Sequence, residues 1–198
     1  MEKRIINLKM SDLEDSGVHM LSLVDEPAIE SYWVYLNKEI ETKLAINDEK
    51  RIIVGPVIIP NFEIYRNPVA QVNGNEPFYI QFDIETIGSM AEKFMRQLKL
   101  NKTNLAHEDN SDAGSYIFES WIVETLEDKA NTVYNLNVPI GTWVVKMKIE
   151  NDETWNKVKS GELKGFSIEG SFVAENEIDE DELFHKELYD KIRNLLAD

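Results

Sequence analysis

Arg51-Ile52-Ile53-Val54-Gly55-Pro56-Val57-Ile58-Ile59-Pro60 is apolar on both faces yet carries Gly-Pro at its centre. Apolarity on both faces is the pattern of a strand buried on both sides. Proline has no N–H to give to a ladder and is confined to edges, strand starts and bulges. The run therefore predicts a buried strand with a bulge or corner, of the kind a small barrel uses to bend. Its surroundings agree. Gly17-Val18-His19-Met20-Leu21-Ser22-Leu23-Val24, Glu63 to Arg66, Phe78 to Phe82, Asn104 to His107, Ser115 to Val123 and Gly141 to Ile149 are further short β-prone runs. Asp25-Glu26-Pro27-Ala28 breaks the first of them, Tyr32 to Leu36 resumes an aromatic strand-like run, and Gln71 to Pro77 reads as a polar turn.

Helical spacing is confined to three places. Asp83 has N-cap chemistry, and Ile84, Ile87, Met90, Ala91, Phe94 and Leu98 then recur at the period of a helix over about 84–99. Asp152 to Ser160 reads as a short helix with Trp155 and Val158 inward and Gly161 as its stop. Leu183, Leu188, Ile192, Leu195 and Leu196 suggest a last helix over about 181–196. Many short strands with two or three helices predict an α+β, mainly β fold: a small, mostly antiparallel β-barrel with surrounding helices.

Composition removes several classes of function. There are no cysteines, which excludes a disulfide framework, a thiolate nucleophile and a cysteine zinc site. A net charge of -16 argues against nucleic acid as the main partner, since phosphate binding needs clustered Lys and Arg. No apolar run is long enough to cross a bilayer, and the first ten residues lack the apolar segment of a secretory signal. A soluble, cytosolic chain is expected. Glu175-Asn176-Glu177-Ile178-Asp179-Glu180-Asp181-Glu182 has the composition of a solvated linker.

Residues able to do chemistry are few. In Gly165-Phe166-Ser167-Ile168-Glu169-Gly170-Ser171-Phe172, strand alternation puts Phe166, Ile168 and Phe172 on one face and Gly165, Ser167, Glu169 and Ser171 on the other. The glycines let another backbone approach that second face. Ser167 fits two descriptions, a solvated strand hydroxyl and a nucleophile held on a rigid strand. Of the three histidines, His185 reads as a surface residue and His19 as structural, whereas His107 ends an apolar strand and opens a polar loop. There it is placed to act as a general base for a serine, or is incidental. Glu119 shares a strand face with Ile117, Trp121 and Val123, where a carboxylate needs a partner. A histidine N–H and a lysine or arginine both meet that need, and Glu169 competes for the histidine. Glu108, Asp109 and Asp112 do not have the spacing of a calcium loop or a zinc motif, so no metal and no cofactor are expected. Lys164 reads as a solvated strand-edge residue.

Several ordered blocks resemble one family. Asn104-Leu105-Ala106-His107-Glu108, Glu119-Ser120-Trp121-Ile122-Val123-Glu124, Pro139 with Gly141-Thr142-Trp143, and Trp155 through Lys157-Val158-Lys159-Ser160-Gly161-Glu162 to Gly165-Phe166-Ser167-Ile168-Glu169-Gly170 look like the XkdF-type serine proteases of tailed phages. Leu23-Val24-Asp25-Glu26-Pro27-Ala28 and Gly55-Pro56 to Arg66 also fit, so the resemblance runs from about residue 17 to 174. It implies a prohead maturation endopeptidase with an assemblin-like barrel, cutting phage major capsid and scaffolding proteins, and itself in some members. It places the chain in the host cytoplasm within the assembling procapsid and makes a homodimer an option. Carried over, Ser167 is the nucleophile, His107 the general base and Glu119 the third member, with Glu169 as its rival. The domain division that follows is a protease-like domain over 1–174, with an N-terminal extension of about 1–45, then an acidic linker and helix over 175–198. The rival functions are a catalytically silent assembly or scaffolding protein on the same fold, and a module that captures an extended peptide at a sheet edge.

Overall fold

The computed structural model describes residues 4–27, 45–47, 50–66, 78–108 and 111–175. Within them the strands are β1 (Ile5–Lys9), β2 (Gly17–Val24), β3 (Ala45–Asn47), β4 (Ile52–Ile58), β5 (Ile64–Arg66), β6 (Phe78–Gln81), β7 (Thr103–Leu105), β8 (Ser115–Ile122), β9 (Trp143–Ile149), β10 (Gly165–Ser171) and β11 (Val173–Ala174). The helices are α1 (Ile84–Arg96), α2 (Lys129–Thr132) and α3 (Asp152–Ser160). The expected strand over Tyr32 to Leu36, the turn over Gln71 to Pro77 and the helix over 181–196 lie outside the described residues.

The Gly-Pro run is β4, and its ladder with β9 slips between Pro56 and Ile58, which leaves Val57 as the bulge. The fold is α+β and mainly β, with mostly antiparallel pairings; β1–β6 and β2–β7 are parallel. The closed barrel is not found among the described residues. Their ladders make three sheets, in the orders β11-β1-β6-β5, β10-β2-β7 and β3-β4-β9-β8. β10 runs beside β4 without a ladder between them. Pro56 offers no N–H there and the Val57 bulge breaks the register, so the second half of β4 carries no ladder on that side among the described residues.

The sheets converge on one core. Leu21 and Leu23 of β2, Ile53 of β4, Val145 and Met147 of β9 and Phe166 of β10 pack with Ile87, Met90 and Phe94 of α1 and Trp155 and Val158 of α3. Phe94 meets Trp143 edge-on, with ring centroids 5.5 Å apart. Asp83 caps α1 by accepting from the Thr86 N–H at 2.8 Å. The helix stops three residues short of the expected end, because Leu98 turns left-handed at φ 53° into a 3₁₀ turn over Lys99–Asn101. Asn151 and Gly161 close α3 at its two ends, Gly161 at φ 74°. A second, smaller core of Val54, Val123, Ala130, Leu136, Val138 and Val144 lies on the other side of the β4–β9 pair.

Candidate active site

β2 organises the site by pairing with β10 on one side and β7 on the other. Ser167 stands directly opposite Ser22 across the antiparallel β10–β2 ladder, and Asn104 opposite Ser22 across the parallel β2–β7 ladder. Opposed residues project from the same face. Ser22, Asn104, Ser167 and Glu169 therefore share the face turned away from Leu21, Leu23 and Phe166. Two glycines keep β10 close to its neighbours: a Cβ on Gly170 would lie 2.4 Å from the Gly17 carbonyl oxygen, and one on Gly165 2.7 Å from the Pro27 ring. After β7, Ala106 and His107 both take left-handed backbone, at φ 51° and 62°. Residues with a Cβ rarely adopt that conformation, and it costs about 1 kcal/mol or more each. The tight double turn returns the imidazole to the Ser22 side chain.

Three polar side chains converge on one carboxylate oxygen. Glu169 Oε1 accepts from Ser22 Oγ at 2.8 Å, from Asn104 Nδ2 at 2.8 Å and from His107 Nδ1 at 3.0 Å. Ser22 Oγ is also 3.0 Å from His107 Nδ1. Ser22 and Asn104 are buried at 0% and 2% exposure, whereas the His107 and Glu169 side chains are 41% and 28% exposed. Burial alone would push the Glu169 carboxyl up, but donors on Asn104, Ser22 and His107, with the His107 charge, outweigh it and hold it below the ordinary carboxylate range. The Asn104 Oδ1 is buried without a hydrogen-bond partner among the described residues. A buried, unpaired carbonyl costs about 1–3 kcal/mol, so the amide is held for what its donor end does.

The proton positions follow from this arrangement. An ionised carboxylate has only lone pairs to offer, so Nδ1 carries the hydrogen and Nε2 is left as the basic nitrogen. Ser22 gives its own hydrogen to Glu169 and faces Nδ1. It is buried and on the wrong side of the ring to be deprotonated. A carboxylate at Nδ1 that fixes the tautomer and a free Nε2 are what a serine general base requires. Ser167 is half-buried, one strand across from Ser22, and makes no hydrogen bond to His107 among the described residues.

The family model described as "Putative phage serine protease XkdF" matches residues 39–177, a stretch that holds His107, Ser167 and Glu169. The chain belongs to the XkdF family. At the level of the family it is therefore placed with the phage serine proteases. No curated protein and no solved structure matches the chain.

In this XkdF-family chain Glu119 lies elsewhere. Its carboxylate pairs with Lys146 at 2.6 Å and with Lys129, and Lys129 sits 4.1 Å over the Trp121 ring. The expectation that it shares a face with Ile117 fails because β8 bulges at Phe118: Ile117 opposes Met147, but Glu119 opposes the next residue, Lys146. The extra residue turns Glu119 and Trp121 towards the second core, and Glu169 takes the place at His107. His19 also touches a serine, with Nε2 3.2 Å from Ser171 Oγ. There the Lys99 ammonium approaches Nδ1 at 3.4 Å, so Nδ1 accepts and Nε2 already carries its hydrogen. That pair has no base. Lys164 is exposed, the Asp112 carboxylate accepts from the Gly114 N–H, and Asp109 and His185 lie outside the described residues. Ser22 and Asn104 escaped sequence reasoning because a polar residue at alternate strand positions is what any half-exposed strand carries.

Proposed function

We propose that this XkdF-family protein is a serine endopeptidase that cuts phage capsid and scaffolding proteins during prohead assembly, with Ser167 as nucleophile, His107 as general base and Glu169 as the carboxylate that orients the base. The observation that carries this reading is the Glu169 carboxylate on His107 Nδ1, which leaves Nε2 as the basic nitrogen, with Glu169 and Ser167 two residues apart on one face of β10. In the reaction, Nε2 takes the Ser167 proton as the oxygen attacks a peptide carbonyl. It then delivers that proton to the leaving amine, and water hydrolyses the acyl-enzyme by the reverse path. Glu169 stabilises the imidazolium formed in between without taking its proton. The cluster at Oε1 holds the imidazole ready before substrate arrives.

The test is co-expression with the matching capsid and scaffolding proteins, reading their termini by mass spectrometry. Ser167→Ala and His107→Gln are each expected to lower cleavage by at least about a thousandfold while leaving the melting curve in place. Ser22→Ala is expected to keep part of the activity. If processing continues unchanged in Ser167→Ala, the chain is an assembly protein on a protease fold.

A further inference from the structure

A cavity of about 320 Å³ opens beside Ser167, between β10 and the segments around β4, β5 and β6. Its wall is mostly aliphatic and aromatic, including Val57, Ile59, Ile80, Phe82 and Phe166, and no carboxylate lines it among the described residues. Its size is at the lower end for small-ligand pockets and suits one or two large side chains. Arg66 is the one cation lining it among the described residues. It shares a face of β5 with Ile64, which also lines the cavity, while Tyr65 points the other way to stack on Tyr79. The Arg66 guanidinium donates to the neighbouring Tyr65 carbonyl at 3.1 Å and forms no ion pair with any described residue. Arg66 reaches the surface, yet burial around the guanidinium pushes its pKa down. In a chain of net charge -16, an arginine that no described carboxylate covers is conspicuous.

We infer that this cavity is a specificity site for an extended peptide, taking a large apolar side chain beside the bond to be cut and pairing Arg66 with an acidic residue a few positions away. The occupant follows from complementarity: apolar wall to apolar side chain, uncovered guanidinium to carboxylate. Ser167 is among the residues that line it, so the cavity lies along the strand that carries the proposed nucleophile. In an extended peptide successive side chains alternate and advance by about 3.3 Å each, so both groups can be engaged at once. The inference rests on the endopeptidase reading for its meaning, but its binding test does not.

The experiment uses the full chain carrying Ser167→Ala, so that peptides stay intact. Labelled ten-residue peptides of Gly and Ser carry Leu or Ala at one position and Glu, Gln or Lys one to four residues to either side, and binding is read by fluorescence anisotropy. Leu with Glu at one favoured spacing should bind about tenfold tighter than Leu with Lys or Ala with Glu. Adding Arg66→Glu should reverse the charge preference at that spacing, and Ile80→Trp should weaken all Leu peptides by filling the cavity. Melting curves establish that both variants fold. Equal affinity for the Glu and Lys peptides, a preference unmoved by Arg66→Glu, or no binding would each overturn the inference. Cleavage by the unaltered chain is scored separately. Charge-inverted binding without any cleavage keeps the pocket and removes the peptidase; cleavage of capsid protein with no acid preference does the reverse.

Discussion

At the level of single residues, the site depends on how many donors Glu169 can gather. Asn104→Leu keeps the approximate shape, removes the Nδ2 bond at 2.8 Å and also removes the orphaned Oδ1. Loss of a buried unpaired carbonyl offsets the loss of one hydrogen bond, so global stability should change by less than about 1 kcal/mol. The Glu169 carboxyl should titrate at higher pH, as followed by carbon NMR of the labelled side chain. Turnover on a cleaved peptide should fall about ten- to a hundredfold with little change in KM. An unmoved titration would mean that Asn104 only fills space. The pH dependence of folding has a definite sign. Glu169 is held below its ordinary value of 4.5, so its contribution to stability is complete above that pH and is lost as pH falls through the folded-state value. Urea unfolding at a series of pH values should therefore show the unaltered chain and Glu169→Gln drawing together below about pH 4.5. A gap that stays constant down to pH 3 would contradict the assignment.

At the level of elements, two irregular strands decide what faces what. The bulge at Val57 lets β4 carry Pro56 in its interior, and the bulge at Phe118 places Ile117 in the main core and Glu119 on its lysines. Phe118 is 47% exposed and is the extra residue, opposed by nothing on β9. Deleting it straightens β8 while leaving every other pair in place. The deletion should fold with a loss of no more than about 2 kcal/mol, measured by urea titration. Deleting Ser120 instead shifts Trp121 and Ile122 to the wrong faces and should abolish cooperative unfolding. If both deletions behave alike, the register assigned to β8 is wrong.

For the whole molecule, 37 acidic against 21 basic residues leave the folded state repelling itself. Raising salt from about 0.05 to 0.5 M shortens the screening length from roughly 14 to 4 Å, so the melting temperature should rise. A fall would show that ion pairs such as Lys146–Glu119 outweigh the net repulsion. Local chemistry made much of the fold legible. Asp83 and Gly161 marked helix ends, Gly55-Pro56 marked a break in a buried strand, and alternation separated Phe166 and Ile168 from Ser167 and Glu169. These signals depend on neighbours in the chain. The open side of the sheet system and the partner of His107 do not, because both depend on residues far apart in sequence. Which face Glu119 takes turned on one extra residue in β8, which moves a side chain to the opposite face without leaving a mark in composition or period. Sequence alone determined which residue types were present to do chemistry and which strands carried them. Only tertiary pairing, with β2 drawing β7 and β10 to its two sides, decided that Ser22, Asn104, His107 and Glu169 converge.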